Sequence, residues 1–439
     1  MRTRVIFSRL DSLGKMARFA IAVSAGVSLV ACSALLGLTD PTLDNSVGGD
    51  GSVGGDGSNG DGASDDGNSE ASSTCAGADL TSDPKNCGAC GHDCLGGKCS
   101  ARSCQPVLVV DDLTNLAPRY MVEDATTLYF TNARSDLPIS SVAKVAKNQA
   151  DAATPGHVLG KFDDGDGGNF KIIYPYQLAV SGTTLFVALN ASLYEGNDYQ
   201  GGIAKCDTTA GCLPFQGSDT LFLQSFDVKG LAYDGNDLVY GYDNLTDGGL
   251  GSEFHEVRAD FIVGSMKSTL ANADTTVNYV LIDGAQNVYA ATNTGIIKTN
   301  ESSASGSNIS LVEADQMALF NNTIYFTSAP DVGAPSVQSV STSGGATPSI
   351  LASGGFLHVP AGIAVDTTYM YIADEGDISV QTDGHVFRCP LSGCGEDGGA
   401  ATILSTGASD GDNPRAIVAG DKDAIYWGNR YGQIWKLAK

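Results

Sequence analysis

Basic residues are scarce in this chain, which has only 25 Lys and Arg against 50 Asp and Glu among its 439 residues. The formal net charge of −25 argues against a nucleic-acid-binding protein, whose contact surface would be basic. Tryptophan is also scarce, with two residues, yet 42% of all residues are hydrophobic, so a large folded core can form. Glycine, in contrast, is abundant at 55 residues, which predicts many turns.

Recognisable catalytic motifs are missing as well. The sequence contains no Gly-x-Ser-x-Gly nucleophile elbow and no P-loop. The five histidines are scattered, and no two of them have the spacing of metal ligands: His92, His157, His255, His358 and His385. We therefore predict no catalytic residue, no bound metal and no other cofactor, with calcium as the alternative.

The first 31 residues have the composition of a secretory signal peptide. A basic segment precedes an uncharged apolar run from Phe19 to Ala31. The run ends in Leu29-Val30-Ala31-Cys32, which resembles the bacterial lipobox, where the peptidase cleaves before a cysteine that carries diacylglycerol. Lipidation of Cys32 would account for the odd count of 11 cysteines. The alternative is a transmembrane helix over residues 19–38, and both alternatives place the rest of the chain outside the cytoplasm.

The resemblance to lipoproteins also implies a location. In that family an Asp after the lipidated cysteine favours retention in the inner membrane, whereas Ser33 stands here. We therefore expect a lipid anchor in the outer membrane or at the cell surface of a Gram-negative bacterium. Residues 32–74 are mostly Gly, Ser, Asp and Asn without Lys or Arg, a composition that predicts a disordered tether.

Six cysteines within residues 75–105 predict a small disulfide-rich module: Cys75, Cys87, Cys90, Cys94, Cys99 and Cys104. A segment this short and rich in glycine has too little apolar area to fold by burial, so covalent cross-links must replace a core. The pairing stays open, and zinc bound by the cysteines and His92 is the alternative. The pattern resembles the Cys-rich module of plant stigma-specific proteins, which also precedes repeat domains in exported bacterial proteins.

One short phrase returns seven times between residues 106 and 439. It is a polar turn followed by a short apolar strand, at Leu128–Phe130, Leu185–Val187, Leu238–Tyr240, Val288–Ala290, Ile324–Phe326, Met370–Ile372 and Ile425–Trp427. Each copy is preceded by one further short apolar strand and followed by others. Four antiparallel strands per repeat predict an all-β fold, a seven-bladed β-propeller; the alternative two-sheet sandwich would be shorter.

The two ends of the repeat region predict how the ring closes. The seventh copy ends without a fourth strand, whereas Pro106–Val110 is a strand with no blade before it, so this N-terminal strand is expected to complete the last blade. Ile363-Ala364-Val365-Asp366 and Tyr426-Trp427-Gly428-Asn429 resemble propeller repeats that read Ile-Ala-Val-Asp followed by Tyr-Trp-Thr-Asn. That resemblance implies extracellular binding domains, scaffolds, or lactonase-like and lyase enzymes.

The last four cysteines fall at the same point of two repeats. Cys206 with Cys212, and Cys389 with Cys394, each follow a third strand, so each pair is predicted to clip the turn after it. Together with the Cys-rich module, the mature chain is expected to contain five disulfides.

The longest insertions follow second and fourth strands, which places them on one rim of a propeller, the usual binding face. The candidate binding residues there are Tyr174, Tyr176, Tyr194, Tyr199, Asp163, Asp164, Asp166, Asp410 and Asp412. Tyrosine rings can stack on sugars or cations, and carboxylates can hold calcium or a basic partner. The run from Asp163 to Gly168 does not match an EF-hand loop, because it lacks the later oxygen ligands.

These features predict a non-catalytic cell-envelope lipoprotein whose propeller binds a protein or glycan partner or acts as a scaffold. The expected partners are the lipid bilayer, reached through the anchor, and an unidentified protein or glycan, with the chain itself a monomer. The alternative is an exported propeller hydrolase or lyase, calcium-assisted, that acts on a sugar or lactone.

Overall fold

The computed structural model describes residues 77–111, 117–132, 141–149, 157–161, 172–192, 202–212, 221–224, 228–235, 237–244, 254–261, 265–273, 275–300, 303–330, 333–345, 347–377, 383–395, 398–405, 413–418 and 420–439. The predicted signal peptide, Cys32, the tether and Cys75 lie outside these residues. So do Asp163, Asp164, Asp166, Tyr194, Tyr199, Asp410 and Asp412 of the predicted rim. In the part that is described, no helix is long and apolar enough to cross a membrane.

The Cys-rich module is held together by disulfides, as predicted. Its two short strands, β1 (Cys99–Ser100) and β2 (Ser103–Cys104), form a small antiparallel sheet. Disulfides join Cys87 to Cys99 and Cys94 to Cys104, and Cys90 is disulfide-bonded as well. The sulfur atoms of Cys87, Cys94 and Cys104 lie within 4.8 Å of one another. Because each of these sulfurs is bonded to another sulfur, the group offers no thiolate to zinc.

Strands β3 to β31 build a propeller. In most of its sheets, strands that are consecutive in the sequence lie side by side. Strand β3 (Val107–Asp111) comes first. The next strands are β4 (Pro118–Glu123), β5 (Thr127–Asn132), β6 (Ser141–Ala146) and β7 (His157–Lys161), then β8 (Ile172–Ser181), β9 (Thr184–Ser192), β10 (Gly202–Asp207), β11 (Gly211–Cys212) and β12 (Leu221–Gln224). They are followed by β13 (Leu231–Tyr233), β14 (Asp237–Asn244), β15 (Phe254–Phe261), β16 (Ser265–Ala273), β17 (Val277–Ile282), β18 (Asn287–Thr292), β19 (Gly295–Asn300) and β20 (Ser303–Ser310). The remaining strands are β21 (Gln316–Phe320), β22 (Thr323–Ser328), β23 (Ser336–Ser341), β24 (Ser349–Ser353), β25 (Pro360–Val365), β26 (Tyr369–Asp374), β27 (His385–Pro390), β28 (Thr402–Ile403), β29 (Pro414–Val418), β30 (Ala424–Asn429) and β31 (Gln433–Ala438).

The sheets stand around an axis with their first strands innermost. Each first strand contacts the next in a closed cycle that runs β4, β8, β13, β17, β21, β25, β29 and back to β4. Because an isolated four-stranded sheet leaves both faces open, each sheet buries its apolar side chains against its two neighbours. The all-β propeller predicted from the sequence is therefore confirmed.

The prediction of seven four-stranded blades is wrong. Among the described strands, six sheets of the ring are four-stranded, and the sheet of β8 to β12 departs from that pattern with five strands. The extra strand is β11, which the disulfide between Cys206 and Cys212 holds beside the end of β10. Strand β12 pairs with Gly202 to Ala204 at the other end of β10.

The ring closes by the strand that was expected. Strand β3 pairs with β31, so the last sheet has the order β29-β30-β31-β3. Val109 and Val110 are fully buried, whereas Leu108 is only partly covered. The pairing register shifts between Leu108 and Val110, and this bulge changes which side chains face the neighbouring blade.

The propeller has two rims, here called the upper rim and the lower rim. On the upper rim, first strands begin and second strands end: Pro118 pairs with Asn132, Pro360 with Asp374 and Pro414 with Asn429. On the lower rim, first strands turn into second strands. An aspartate recurs in several lower-rim turns and accepts hydrogen bonds from the backbone N–H groups that follow it and from a tyrosine hydroxyl, as with Asp366 and Tyr371.

Candidate functional site

Two arginines stand at the same register position on the upper rim. Arg119 follows Pro118 at the start of β4, and Arg415 follows Pro414 at the start of β29. In both strands the pairing register shifts directly after the proline, so the arginine is the extra residue of a β-bulge. Bulges re-aim a side chain relative to the regular pleat. Strands β4 and β29 are neighbours in the ring, which places the two arginines on adjacent blades.

Arg415 forms a buried ion pair with Glu375, which follows β26 on the upper rim. The Nε of Arg415 donates to Glu375 Oε1 at 2.8 Å, and Nη2 donates to the same oxygen. The Glu375 side chain is only 2% exposed and that of Arg415 is 16% exposed. A buried pair of this kind keeps both charges only because each compensates the other.

Asn413, which directly precedes β29, completes this cluster. Its Nδ2 donates to the carbonyl oxygen of Glu375, and its own carbonyl oxygen accepts from the N–H of Arg430 at 3.1 Å. The side chain is fully buried, and its Oδ1 has no hydrogen-bond partner. A buried acceptor without a donor is unfavourable in the free protein, so the cluster contains one acceptor that a ligand could satisfy.

Arg119 lies close to one tyrosine of its own strand and to two of the next blade. The ring of Tyr120 is 5.4 Å from that of Tyr176, and both of these side chains are buried. Tyr174 is half-buried at the upper end of β8. Burial alone would lower the pKa of Arg119, but the charges of Tyr120, Tyr176, Glu375 and Tyr174 together raise it.

The electrostatics of Arg415 show that several cations share this region. Burial lowers the pKa of Arg415; Glu375 opposes that effect, while the positive charges of Arg119 and Arg430 add to it. Glu375, Arg415, Arg119 and Tyr176 come from four successive blades. The upper rim therefore brings the guanidinium groups of Arg119 and Arg415 together with the carboxylate of Glu375.

A second upper-rim cluster surrounds His358, just before β25. Its Nδ1 lies 3.9 Å from Asp374 Oδ2, and its Nε2 lies 3.8 Å from Asp383 Oδ2. The Asp374 carboxylate is fully buried and accepts from the N–H groups of His358 and Val359. Burial raises the pKa of Asp374, against the lowering effect of these two bonds and of His385.

The structure positions only two of the nine residues predicted for the rim. Tyr174 and Tyr176 lie within β8 rather than in an insertion, and Tyr176 is buried. Both are at the upper rim. The candidate site residues that sequence reasoning missed are Arg119, Arg415, Glu375 and Asn413. The signal that could have found the arginines was the repeated Pro-Arg pair at Pro118 and Pro414.

Comparison with known proteins adds little to the description of the fold. No protein-family model and no curated protein sequence matches the chain. The WD40 beta propeller domain of Doa1 superposes with a TM-score of 0.49 at 12% identity, covering 76% of this chain and 97% of that domain. The extracellular domain of BT4673 from B. thetaiotaomicron, described as a one component system, gives a TM-score of 0.48 at 11% identity. That match covers 75% of this chain and 39% of the BT4673 chain.

Proposed function

We propose that this chain is a lipid-anchored, extracytoplasmic binding protein whose propeller engages a glycan or protein partner at the upper rim. The observation that carries the proposal is the convergence of Arg119, Arg415, Glu375 and Tyr176 from four blades at one end of the axis.

The cysteines support a location outside the cytoplasm. Four disulfides join described residues, and Cys90 takes part in another. Disulfides persist in oxidising compartments and are rare in the cytosol. The Leu29–Cys32 sequence supplies the expected anchor, and the acidic charge of the chain would leave that anchor as its main attachment to an anionic membrane.

The position of the Cys-rich module supports an orientation in which the upper rim faces outward. Strand β3 starts on the lower side, because Val107 pairs with Lys436 near the end of β31. The module packs there: Cys104 contacts the same apolar cluster as Leu437, and Asp93 acts on the charge of Lys436. A tether that enters through this module would leave the upper rim directed away from the membrane.

Two experiments test the proposal. Radiolabelled palmitate should be incorporated into the wild-type protein and not into the Cys32→Ala variant; equal labelling would exclude the anchor. Separately, the purified mature chain is applied to a printed glycan array and a peptide array. Binding that Arg119→Lys weakens and Lys422→Met on the lower rim leaves unchanged would support an upper-rim binding role, and no binding to either array would contradict it.

The cluster at His358 favours a second candidate function, a sugar or lactone hydrolase or lyase. A histidine flanked by two carboxylates is a common arrangement for proton transfer, and the His358 side chain is 38% exposed, so a substrate could reach it. A panel of lactones and oligosaccharides tests this candidate. Turnover that the His358→Gln variant abolishes would support it, and turnover unchanged in that variant would exclude His358.

A further inference from the structure

The turns that follow third strands lie against the outer strand of the preceding blade. After β10, strand β11 contacts β7, the outer strand of the blade before it. After β23, Gly344 lies against β20, because a Cβ atom added there would be 2.8 Å from Ile309 Cγ2. After β27, the N–H of Cys394 donates to the carbonyl oxygen of Leu351 in β24. The outer strands β7, β20 and β24 are therefore each partly covered by a turn of the next blade.

The turn after β27 covers the edge of β24 with main-chain hydrogen bonds. The N–H groups of Cys394 and Gly395 donate to the carbonyl oxygen of Leu351 at 2.7 and 3.2 Å. Gly395 and Ala352 also form a parallel β-bridge. The outer strand of a sheet presents N–H and C=O groups that can pair with another chain. Cys394 and Gly395 occupy the position that such a chain would take beside Leu351 and Ala352.

A disulfide holds this turn in place. Cys389 in β27 is joined to Cys394, and both side chains are buried. Between them, Gly393 has a φ of +104°, and a Cβ atom there would lie 2.6 Å from the carbonyl oxygen of Leu351. Glycine lets the turn approach β24 this closely, since it has no Cβ atom. The cross-link therefore fixes the segment that covers the edge, residues 389–395, which we call the edge guard.

The strand under the edge guard lacks the charges that commonly protect a sheet edge. No Asp, Glu, Lys or Arg occurs between residues 332 and 357, which include β23 and β24. Several other outer strands contain a charged residue, namely Asp111 in β3, Lys161 in β7 and Lys267 in β16. In β24, Ile350 is instead apolar and 62% exposed. An uncharged apolar edge favours pairing with another chain, whereas a charged residue opposes it.

We propose that the edge guard blocks a self-association site: without it, the edge of β24 pairs with the same strand of a second copy of this chain. The edge fits such a partner because two uncharged strands can pair without burying an unpaired charge. The guard itself demonstrates that the Leu351 carbonyl oxygen accepts hydrogen bonds from an added chain. The disulfide between Cys389 and Cys394 thus keeps the protein monomeric. This role lies outside the proposed binding function and does not involve the upper rim.

The first test removes the disulfide. The double variant Cys389→Ala with Cys394→Ala is compared with the parent, and both also carry Cys32→Ala so that no lipid contributes to association. Hydrogen exchange followed by mass spectrometry should show the amides of Cys394 and Gly395 exchanging at least about tenfold faster, since each loses its hydrogen bond. Unchanged exchange would overturn the proposal.

Sedimentation velocity measures association in the same two proteins. The net charge of −25 repels a second copy at long range, so the measurement is made at physiological salt, which screens that repulsion. We expect the parent to sediment as a monomer and the double variant to associate in a concentration-dependent manner. A double variant that stays monomeric would overturn the proposal.

Two glycine substitutions test the same step with the disulfide intact. Gly393→Ala places a Cβ atom against the Leu351 carbonyl oxygen and should lift the turn from β24. Gly395→Ala is the matched control, because Gly395 also has a positive φ of +80°, but a Cβ atom there meets nothing within 4 Å. We expect association for Gly393→Ala and a monomer for Gly395→Ala. The same state for both would overturn the proposal, and this comparison remains decisive if the double cysteine variant does not fold.

A charge on β24 should restore the monomer. Ile350→Lys, added to the double cysteine variant, places a lysine on the uncovered edge of both copies, which then repel each other. Ile403→Lys is the matched control, because Ile403 is 45% exposed on β28 of the next blade. The two positions are equivalent: Ile350 pairs with Gln338 and Ile403 with Phe387, the third residues of β23 and β27.

The two lysine variants distinguish edge pairing from general unfolding. Ile350→Lys should abolish association while the fast amide exchange of the turn persists, and Ile403→Lys should leave association unchanged. Rescue by both variants or by neither would overturn the proposal, in favour of association through unfolded chains.

Discussion

Val110 in β3 pairs with Ile434 in β31, and both side chains are fully buried. This pair joins the first strand of the propeller to its last and covers the edge of β31. A propeller closed in this way leaves only the outer strand of each blade with an open edge. The stability of the whole propeller therefore depends on β3, a strand that precedes all the complete blades in the sequence.

Deletion of residues 106–111 should therefore destabilise the protein severely. It removes the buried Val109 and Val110, at about 1.5 to 3 kcal/mol each, and uncovers the edge of β31. We expect a much lower melting temperature and aggregation by light scattering. The control deletion of residues 33–74, outside the described residues, should melt like the parent. A 106–111 deletion that also melts like the parent would show that closure does not stabilise the ring.

The same junction is bridged by an ion network on the lower rim. Lys147 lies 2.9 Å from Glu123 and 3.1 Å from Asp421, joining the first and last blades. The side chains of Lys147 and Glu123 are 10% and 5% exposed, so removing the cation leaves a buried carboxylate unpaired. Lys147→Met should cost about 3 to 5 kcal/mol of unfolding free energy, measured by urea denaturation.

Lys422→Met is the matched control for that measurement. Lys422 lies 3.9 Å from Asp423 in a pair whose lysine is 89% exposed. Exposed pairs contribute little, so this variant should stay within about 0.5 kcal/mol of the parent. Equal effects of the two substitutions would mean that burial of the Lys147 network has no energetic consequence.

The lower-rim aspartates predict an acid-sensitive contribution to stability. Partial burial alone would raise the pKa of Asp366, but bonds from Thr368, Tyr369 and Tyr371, with Lys439 nearby, hold it below its ordinary value. A lowered folded pKa gives stability that is present above the unfolded value of about 3.9 and is lost as pH falls through the folded value. The melting-temperature difference between parent and Asp366→Asn should therefore be largest near neutral pH and shrink below about pH 4. A difference that is constant between neutral pH and strongly acid solution would contradict this account.

The remaining cysteine of the module has one expected partner. Within the described residues, Cys87, Cys94, Cys99 and Cys104 pair among themselves, and Cys90 is bonded as well. Because Cys32 is the expected lipid attachment site, we predict that Cys75 pairs with Cys90. Non-reducing peptide mapping should recover a cross-linked peptide containing both, and thiol counting in denaturant should find none free. A free thiol at Cys75 would refute the pairing.

The strands could be predicted because their signal is local. Each of the phrases such as Leu128–Phe130 and Ile425–Trp427 lies in the second strand of its sheet, and the two turn clips at Cys206 and Cys389 have the predicted partners. Closure by β3 was also predictable. Counting strands left one extra strand before the first repeat and one strand missing from the last repeat. The five-stranded sheet was not, because the competition between β11 and β12 for the edge of β10 depends on lengths that the pattern does not encode.

The site was harder to predict because it is not local. Glu375 and Arg415 meet only because their blades are adjacent, and the bulge after Pro414 decides where Arg415 points. Sequence reasoning emphasised the acidic insertions, since carboxylates dominate the composition, and so expected calcium or a basic partner. The described part of the rim instead combines arginines with buried carboxylates, and no periodicity along the chain reports which side chains of four blades meet at one end of an axis.

The most direct test of the account is a crystal structure of the propeller with a glycan or peptide that the arrays select. We expect electron density for that ligand at the upper end of the axis, in contact with Arg415. Density for the ligand only on the lower rim or at the Cys-rich module, with Arg415 bonded to Glu375 alone, would contradict the assignment of the upper rim as the binding site.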